Sequence, residues 1–435
     1  MSTAIDKIHE FDRFGSVLGL ERMNALLEKL GNPQDNLQVI HVAGTNGKGS
    51  VCKYLEEGLR ACDYKVGLYT SPFITRFNER IRLDGADISD EDLEIFTERV
   101  LTAVAEMLAE GQQSPTEFEV VTAVAFLYFR EKQADLVILE VGLGGSGDST
   151  NVVKQPLACA ICSIAYDHMD RLGNTLAEIA AEKAGIIKAG VPIVSNVRER
   201  EAAKVIASRA YEKNSRLYDV SGIPVVISGE SPCAQTVSME LYGTDYSDVE
   251  LSMVGEHQGE NLKTALAIIE ILRKQRRIKV ERSRLYAGLK RAVQPGRFEV
   301  IHKEPLVIVD GAHNEAGAAA LQKTMEKFFS GKKVLLVTGI LADKQVDEIL
   351  KHFVSITGDI IATEPDNPRK LKKEALEQKL KEMGITPRKA ADAEESVALV
   401  KSLWQNYDAV LFAGSLYLIG DVRRYFYDER GSEKS

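Results

Sequence analysis

The segment Ala43-Gly44-Thr45-Asn46-Gly47-Lys48-Gly49-Ser50 combines glycines, a lysine and a hydroxyl residue in a way that suits the phosphates of a nucleotide. It lies between the apolar run 39–42, which predicts a buried strand, and 51–61, where apolar residues recur at helical spacing. Glycines let backbone N–H groups approach phosphate oxygens, while the helix N-terminus and Lys48 add positive charge. The spacing differs from a standard P-loop and an ordinary glycine-rich turn is the alternative, but the pattern favours nucleotide binding, with Ser50 offering a hydroxyl to Mg²⁺.

Two further predicted strands end in residues that can bind a cation. Glu140 closes the apolar run 136–139, where a carboxylate needs a partner, and we interpret it as a ligand of Mg²⁺, direct or through water. The glycines that follow it permit close backbone approach to a substrate. His168 follows the predicted strand 157–164, and a position at the same sheet edge favours metal or substrate contact over the more common role of a surface histidine.

A loop rich in polar and aromatic residues, 69–81, follows the second predicted strand. In parallel α/β sheets ligands bind at the carboxyl ends of strands, which is where this loop emerges. Ser71 is a candidate metal ligand, and Phe73 and Phe77 are candidates to flank a planar ring. From spacing alone, packing of these aromatic rings onto the core is the favoured interpretation.

Two T-x-x-E patterns predict helix starts. Thr116 with Glu119, and Thr175 with Glu178, match the capping box, which explains these residues structurally. Phe118, inside the first of them, is a candidate to face a ligand. Spacing gives Lys183 no special status, and a solvated lysine in an ion pair is its ordinary interpretation.

The second half of the chain repeats the arrangement of polar residues after apolar strands. Asp310 and His313 follow the run 306–309, Ser415 follows the run 408–413, and Arg297 lies in a turn where the two halves join. Each is weak alone, but together they predict polar groups along the binding edge of a second doubly wound sheet.

Strands and helices alternate for almost the whole length, which predicts an α/β fold with a P-loop-type, mostly parallel sheet and a smaller Rossmann-like C-terminal domain. We expect an N-terminal domain over 1–293, a linker at about 294–297 and a C-terminal domain over 298–435. Residues 217–254 predict a small antiparallel patch. The predicted strands are 37–43, 65–70, 135–141, 157–164, 191–195, 306–310, 333–339, 358–363 and 408–413, and the predicted helices are 51–62, 90–110, 117–132, 175–188, 199–214, 258–275, 315–329, 345–353, 370–382 and 393–405.

Composition narrows the class of protein. With 435 residues, 44% hydrophobic and 27% charged, the chain is typical of a folded soluble protein of two domains. A net charge of -9 argues against general nucleic-acid binding, and no apolar stretch or signal-like N-terminus indicates a membrane or export. Five scattered cysteines do not form a disulfide framework, and Cys159 and Cys162 point to opposite faces of one predicted strand. We expect a cytoplasmic monomer.

Taken in order, the motifs resemble those of folylpolyglutamate synthase, the folate-specific branch of the Mur ligase superfamily, closely related to bacterial dihydrofolate synthase. The resemblance covers nearly the whole chain. It is carried by the segments 44–50, 71–81, 116–119, 140–145, 167–168, 182–188, 255–258, 295–297, 310–314 and 414–415.

The resemblance implies roles that spacing does not supply. Lys48, His168 and Lys183 would be catalytic, with Lys183 carbamylated by CO₂ and close to a metal. ATP would be bound by the loop Gly44–Ser50 and by Gln258, Asn261, Arg297, Asp310 and His313. Of two Mg²⁺ ions, one would be bound by Ser50 at the phosphates and the other by Ser71, Glu140 and His168. Folate and L-glutamate would contact Phe73, Arg80, Phe118, Asp148, His313 and Ser415.

The implied reaction is ATP-dependent amide formation through an acyl phosphate, with the two domains meeting over the reactants to exclude water. Glutamate would be added to the γ-carboxylate of a reduced folate, and addition to dihydropteroate, or both, stays open. A cell-wall Mur ligase is disfavoured because residues before Gly44 leave little room for a uridine-nucleotide domain. A P-loop switch protein is the alternative from another class, but it gives Glu140 and His168 no purpose.

Overall fold

The computed structural model describes residues 3–12 and 18–432, with side chains up to Tyr427. The chain divides into two compact units, one of 1–226, 238–249 and 260–292 and the other of 227–237, 250–259 and 293–435. Each unit has a sheet of its own with helices packed on it. The α/β fold class predicted from the alternation of elements is confirmed, while the domain limits stay a prediction.

The first unit is built on an eight-stranded sheet in the order β4-β3-β2-β5-β1-β6-β7-β8. Six of its strands run parallel, and the short β3 and β4 add an antiparallel edge. Every residue of β1 and β5 is buried, as expected for parallel strands covered on both faces. The strands are β1 (Val39–Ala43), β2 (Val66–Tyr69), β3 (Ile81–Leu83), β4 (Ala86–Asp87), β5 (Leu136–Glu140), β6 (Ala158–Ile161), β7 (Ile193–Ser195) and β8 (Leu217–Asp219).

Two helices begin at the capping boxes that the sequence predicts. Both predicted capping boxes form: the Thr116 amide donates to Glu119 at 2.7 Å, and the Thr175 amide donates to Glu178 at 3.1 Å. The α-helices that precede strand β12 are α1 (Ala4–His9), α2 (Glu21–Lys29), α3 (Lys48–Arg60), α4 (Asp90–Ala109), α5 (Glu117–Glu131), α6 (Met169–Leu172), α7 (Leu176–Lys183), α8 (Arg200–Glu212), α9 (Glu256–Lys274) and α10 (Arg282–Arg291); β12 is the first strand of the six-stranded sheet described below.

The predicted patch at 217–254 is smaller than expected. Its first residues, β8, extend the large sheet by pairing parallel with β7, because Leu217–Asp219 continues the alternation of strand and helix. A separate three-stranded sheet follows, made of β9 (Val226–Ser231), β10 (Ala234–Leu241) and β11 (Thr244–Leu251). Buried residues alternate along β10, so one face of this sheet is covered.

The second unit contains a six-stranded sheet in the order β12-β13-β17-β14-β15-β16. All neighbours pair parallel except β12, which is antiparallel to β13. Its strands are β12 (Glu299–Lys303), β13 (Leu306–Asp310), β14 (Val334–Thr338), β15 (Ile360–Ala362), β16 (Arg388–Lys389) and β17 (Ala409–Ala413), and its helices are α11 (Glu315–Phe329), α12 (Val346–Ile356), α13 (Lys373–Glu382), α14 (Ala393–Leu403) and α15 (Leu416–Ser432). Among the described residues, no helix has the length and apolar character needed to cross a membrane.

Candidate active site

The topology of the first sheet brings the predicted ligands to one edge. Strand β1 lies between β5 and β6, with Val42 paired to Glu140 and Ala43 paired to Ile161. Strand β2 is the other neighbour of β5, and Tyr69 pairs with Leu139. The segments that follow these four strands therefore emerge side by side at the carboxyl edge of the sheet. This edge lies where the strand order reverses on either side of β1, which is the usual ligand-binding position in such sheets.

The loop Gly44–Ser50 is held by the segment after β6. The amide of Thr45 donates to the carbonyl of Ser163 at 2.7 Å, and the amide of Asn46 donates to the Ser163 hydroxyl at 3.1 Å. Lys48 is the first residue of α3, and its ammonium donates to the carbonyls of Gly44 and Thr45 at 3.0 and 3.2 Å. The loop thus presents a helix N-terminus and a lysine charge together, as a phosphate site requires.

Glu140 and Ser71 adjoin across the ends of β5 and β2. The Ser71 amide nitrogen lies 3.4 Å from Oε2 of Glu140, whose side chain is buried. Ser50 is buried in the first turn of α3. Among the described residues, no three His, Cys, Asp or Glu side chains cluster as a metal site of their own. One carboxylate with hydroxyls fits Mg²⁺, which is usually bound through one or two carboxylates, waters and substrate phosphates.

His168 lies at the start of the short helix α6 with a left-handed backbone, φ +49°. Its amide donates to Oδ1 of Asp167 at 3.0 Å, and its imidazole Nε2 is 3.9 Å from the same oxygen. The side chain of Asp167 is 9% exposed and that of His168 is 40% exposed. Asp167 was given no role from the sequence, although its position beside a candidate ligand is a signal that could have indicated one.

Lys183, the last residue of α7, is buried rather than solvated. Burial, together with the nearby Lys48 charge, lowers its pKa to about 7, against the opposing effect of Asp167 and Asp148. The amine is therefore largely neutral above neutral pH, and a neutral amine is the form that acts as a nucleophile.

The glycine loop after Glu140 packs against the end of α7 that carries Lys183. A Cβ added at Gly145 would lie 2.6 Å from the carbonyl oxygen of Glu182 and 2.9 Å from the Cα of Lys183, so only glycine allows this approach. The amide of Ser146 donates to the same Glu182 carbonyl at 2.9 Å. The loop and the lysine are therefore placed by one contact.

Asp148 organises this loop from inside. Its carboxylate accepts the amides of Leu143 at 2.9 Å and Thr150 at 3.0 Å, together with the Thr150 hydroxyl. The Thr150 hydroxyl also lies 2.8 Å from Nε2 of His41, a buried residue of β1 whose pKa burial lowers to about 3. Burial raises the pKa of Asp148. The structure places Asp148 in a network within the protein, and its contact with folate stays a prediction.

Three of the residues predicted to contact folate, Phe73, Arg80 and Phe118, lie with Phe77 in a cluster of aromatic rings and one cation. The Arg80 guanidinium lies 5.3 Å from the centroid of Phe77 and 5.7 Å from that of Phe118, and it donates to Glu117 at 3.0 Å. Phe73 is partly exposed, with its centroid 5.9 Å from that of Phe77. A planar, hydrogen-bonding molecule suits such a surface.

Asn261 and Gln258, both predicted to bind ATP, lie in different units. Asn261, in the first unit, lies beside the phosphate loop, since its Oδ1 would be 2.3 Å from a Cβ added at Gly47. Gln258 is buried in the second unit at the start of α9.

In the second unit, Asp310 is the last residue of β13 and pairs with Ala413, while Ser415 follows the neighbouring strand β17. Asp310 accepts the amides of Phe298 and Ala312, both at 2.8 Å, and burial raises its pKa while the Arg297 charge opposes the rise. The His313 ring Nδ1 lies 2.7 Å from the carbonyl of Gly311. The hydroxyl of Ser415 accepts the amide of Tyr417 at 3.2 Å.

Comparison with known proteins agrees with this arrangement. Residues 42–269 match the family described as Mur ligase middle domain, and residues 296–416 match Mur ligase, glutamate ligase domain. The dihydrofolate synthase/folylpolyglutamate synthase of Bacillus subtilis is 38% identical over 96% of this chain and 97% of its own length.

Solved structures extend the match to three dimensions. The folylpolyglutamate synthase of Thermotoga maritima superimposes with a TM-score of 0.85 at 36% identity, covering 97% of this chain and 96% of that one. The Mycobacterium tuberculosis folylpolyglutamate synthase, solved with ADP and AMPPCP, gives a TM-score of 0.91 at 30% identity and covers 97% and 98%. The chain therefore belongs to the Mur ligase family, in the branch of the folylpolyglutamate and dihydrofolate synthases.

Proposed function

We propose that the chain is an ATP-dependent ligase that joins L-glutamate to the γ-carboxylate of a reduced folate through an acyl phosphate. The observation that carries this proposal is the placement of the loop Gly44–Ser50 and of Glu140 on adjacent, register-paired strand ends. Phosphate-binding and cation-binding groups thereby share one edge of a sheet. Full-length similarity to folylpolyglutamate and dihydrofolate synthases supplies the chemical class.

The proposed reaction has two steps, phosphorylation of the folate carboxylate and attack by the amine of glutamate. A folate carboxylate first attacks the γ-phosphorus of ATP, giving an acyl phosphate and ADP. The neutral amine of glutamate then attacks the acyl carbon, a C–N bond forms, and phosphate leaves. Because carboxylate and ATP repel each other, the first step needs cationic groups near the γ-phosphate. Lys48, at the N-terminus of α3, is the residue we assign to that role.

Two Mg²⁺ ions are part of the proposal. Ser50 would hold one, and Ser71, Glu140 and His168 would hold the other, while the ions neutralise phosphate charge. Lys183 is proposed to be carbamylated: its amine attacks CO₂, a proton is lost, and the cation becomes an anion suited to a hard metal. The lowered pKa of Lys183, about 7, supports this, because the neutral amine is the reactive form.

The second unit is proposed to add Arg297, Asp310 and His313 to ATP binding and His313 and Ser415 to glutamate or folate binding. Arg297 lies beside the residue that follows Asp310, since its Nη1 would be 3.0 Å from a Cβ added at Gly311. A monomer that works in the cytoplasm remains an expectation from the sequence.

Dihydropteroate is the second candidate acceptor. It is favoured by the Bacillus subtilis relative, whose name includes both activities. The same chemistry applies, because dihydropteroate also offers a carboxylate to ATP. We therefore propose that both acceptors be tested.

The test is ADP release with ATP, Mg²⁺ and L-glutamate, measured with tetrahydrofolate, with dihydropteroate and with neither. We expect acceptor-dependent release, with a product one glutamate longer by mass spectrometry. Lys48→Met should abolish it, whereas Lys154→Met, which changes a lysine whose side chain is 74% exposed, should not. No stimulation by either acceptor, or full activity of K48M, would refute the proposal.

A further inference from the structure

The turn that carries Arg297 is tied to the C-terminal helix through one carboxylate. Glu299 accepts the amide of Gly296 at 2.8 Å, a two-pronged ion pair from Arg423 at 2.9 and 3.1 Å, and the Tyr427 hydroxyl at 3.0 Å. The side chains of Glu299 and Arg423 are 9% and 11% exposed. The start of β12 is thereby joined to α15 with the carboxylate satisfied by three partners.

The opposite side of the same turn is joined to β13. The carbonyl of Gly296 accepts the amide of Gly311 at 2.8 Å, and the amide of Phe298 donates to Asp310 at 2.8 Å. Phe298 has φ +44°, a region that non-glycine residues adopt at a cost of roughly 1–3 kcal/mol unless their surroundings hold them there. Hydrogen bonds to Glu299 on one side and to β13 on the other therefore stabilise this turn in an unfavourable backbone conformation.

The position of the Arg297 guanidinium follows from this turn. Nη1 of Arg297 would be 3.0 Å from a Cβ added at Gly311, so the bare glycine backbone provides the space in which the guanidinium lies. Burial raises the pKa of Asp310 and lowers that of His257, and the Arg297 charge opposes the first shift and adds to the second.

We propose that Glu299 and Arg423 are positioning residues that hold Arg297 where it meets the phosphates of ATP. This inference rests on the proposed function, in which Arg297 binds ATP. A largely buried ion pair contributes little net stability, because desolvation offsets its attraction, so fixing geometry is the role the contacts favour. Misplacing a phosphate-binding cation by an ångström is enough to slow such a reaction.

The test measures kcat, the KM for each substrate, and the affinity for a non-hydrolysable ATP analogue by calorimetry. Glu299→Gln and Arg423→Met should each lower kcat/KM for ATP by about ten- to a hundredfold and weaken the analogue. In an Arg297→Ala background the same changes should have almost no further effect, because nothing is left to position. Arg424→Met, on the exposed face of the same helix, is the matched control and should behave like the unchanged protein.

Equal losses in the presence and absence of Arg297 would overturn the inference, since Glu299 would then act on the fold alone. If E299Q or R423M fails to fold, Arg423→Lys, which keeps the charge but loses the two-pronged contact, gives the same comparison. Absence of acceptor-dependent ADP release from the unchanged protein would instead refute the proposed function. Analogue binding would still report whether Glu299 acts through Arg297.

Discussion

The amide nitrogen of Ser71 lies 3.4 Å from Oε2 of Glu140, so the loop after β2 and the end of β5 meet at one buried carboxylate. The contact links two residues that are proposed to bind the same cation. It also brings the start of the loop after β2 to the end of β5, the strand that pairs with β1.

Replacing Glu140 by glutamine tests whether its negative charge is needed for activity, because the side chain keeps nearly the same shape. Glu140→Gln keeps an oxygen for the Ser71 amide but removes the negative charge that a hard cation requires. We expect kcat to fall at least about a hundredfold, which corresponds to a few kcal/mol of transition-state stabilisation, with little change in unfolding temperature. Steady-state assays over a range of Mg²⁺ concentrations should show that excess Mg²⁺ restores part of the activity.

Asp170→Asn provides the control for the Glu140 prediction. Asp170 is a carboxylate on α6 with a side chain 74% exposed and an ion pair to Arg171 at 3.4 Å. Its loss should leave the Mg²⁺ dependence unchanged. A Glu140→Gln protein with normal turnover at ordinary Mg²⁺ concentrations would contradict the assignment of Glu140 as a metal ligand.

The lowered pKa of Lys183 predicts a pH-dependent cost in stability. The measurement is made in CO₂-free buffer with a chelator. Below pH 7 the Lys183 amine is charged in both states, and burying that charge destabilises the folded protein. Between about pH 7 and 10.5 the amine is neutral in the folded protein but still charged in the unfolded chain, so the cost falls. Lys183→Met removes this cost, so it should stabilise the protein most below pH 7. The gain should shrink by about 1.4 kcal/mol for each pH unit as the pH rises from about 7 toward 10.5.

Denaturant unfolding at several pH values measures this difference between the two proteins. Lys204→Met, a change of an exposed lysine on α8, should shift stability by less than about 0.5 kcal/mol at every pH. A Lys183→Met effect that is the same across the range would mean that Lys183 is not neutralised on folding. With bicarbonate present, the unchanged protein should gain a mass equal to CO₂ on Lys183, and the variant should not.

Some parts of this fold could be predicted from the sequence and others could not, for physical reasons. Buried parallel strands such as β1 and β5 are continuous apolar runs, so their pattern is strong. Helix α10 was missed; only Leu285, Gly288 and Leu289 are buried in this short helix, and basic residues occupy both of its ends. Strand β12 and helix α15 were also missed. The rule that strand ends share an edge predicts Glu140 and His168 at one side of the sheet, and β5, which ends at Glu140, and β6, which precedes His168, are the two neighbours of β1.

Burial and internal hydrogen bonding were beyond the sequence. Lys183, in a run of charged and apolar residues at the end of a helix, looks solvated until the glycine loop is seen to cover it. Asp148 looks free to meet a substrate, but its carboxylate accepts the amides of its own loop. The covering of Lys183 depends on the approach of Gly145 to residues 182 and 183, which are far from it in the sequence. The hydrogen bonds of Asp148 are local, but they depend on the folded conformation of its loop, which the residue pattern does not contain.

Removing the Thr150 hydroxyl should show how much the buried network supports the loop. The Thr150 hydroxyl donates to Asp148 and lies 2.8 Å from Nε2 of His41. Thr150→Val removes this shared partner from both side chains. We expect a loss of about 1–3 kcal/mol in the free energy of unfolding, because buried polar groups lose a hydrogen bond. Thr150→Ser keeps the hydroxyl and should cost much less. Equal losses for valine and serine would assign the effect to packing.

The close approach at Gly145 predicts that a single methyl group disturbs the site. In Gly145→Ala the new Cβ would lie 2.6 Å from the Glu182 carbonyl oxygen, so the loop or the end of α7 must move, and Lys183 moves with it. We expect kcat to fall about tenfold or more, by the displacement argument, with a loss of stability of about 1–3 kcal/mol for overpacking. Gly222→Ala is the matched control, because nothing lies within 4 Å of its added Cβ and its stability should change little. Normal turnover in Gly145→Ala would show that Lys183 tolerates displacement, and would count against its catalytic assignment.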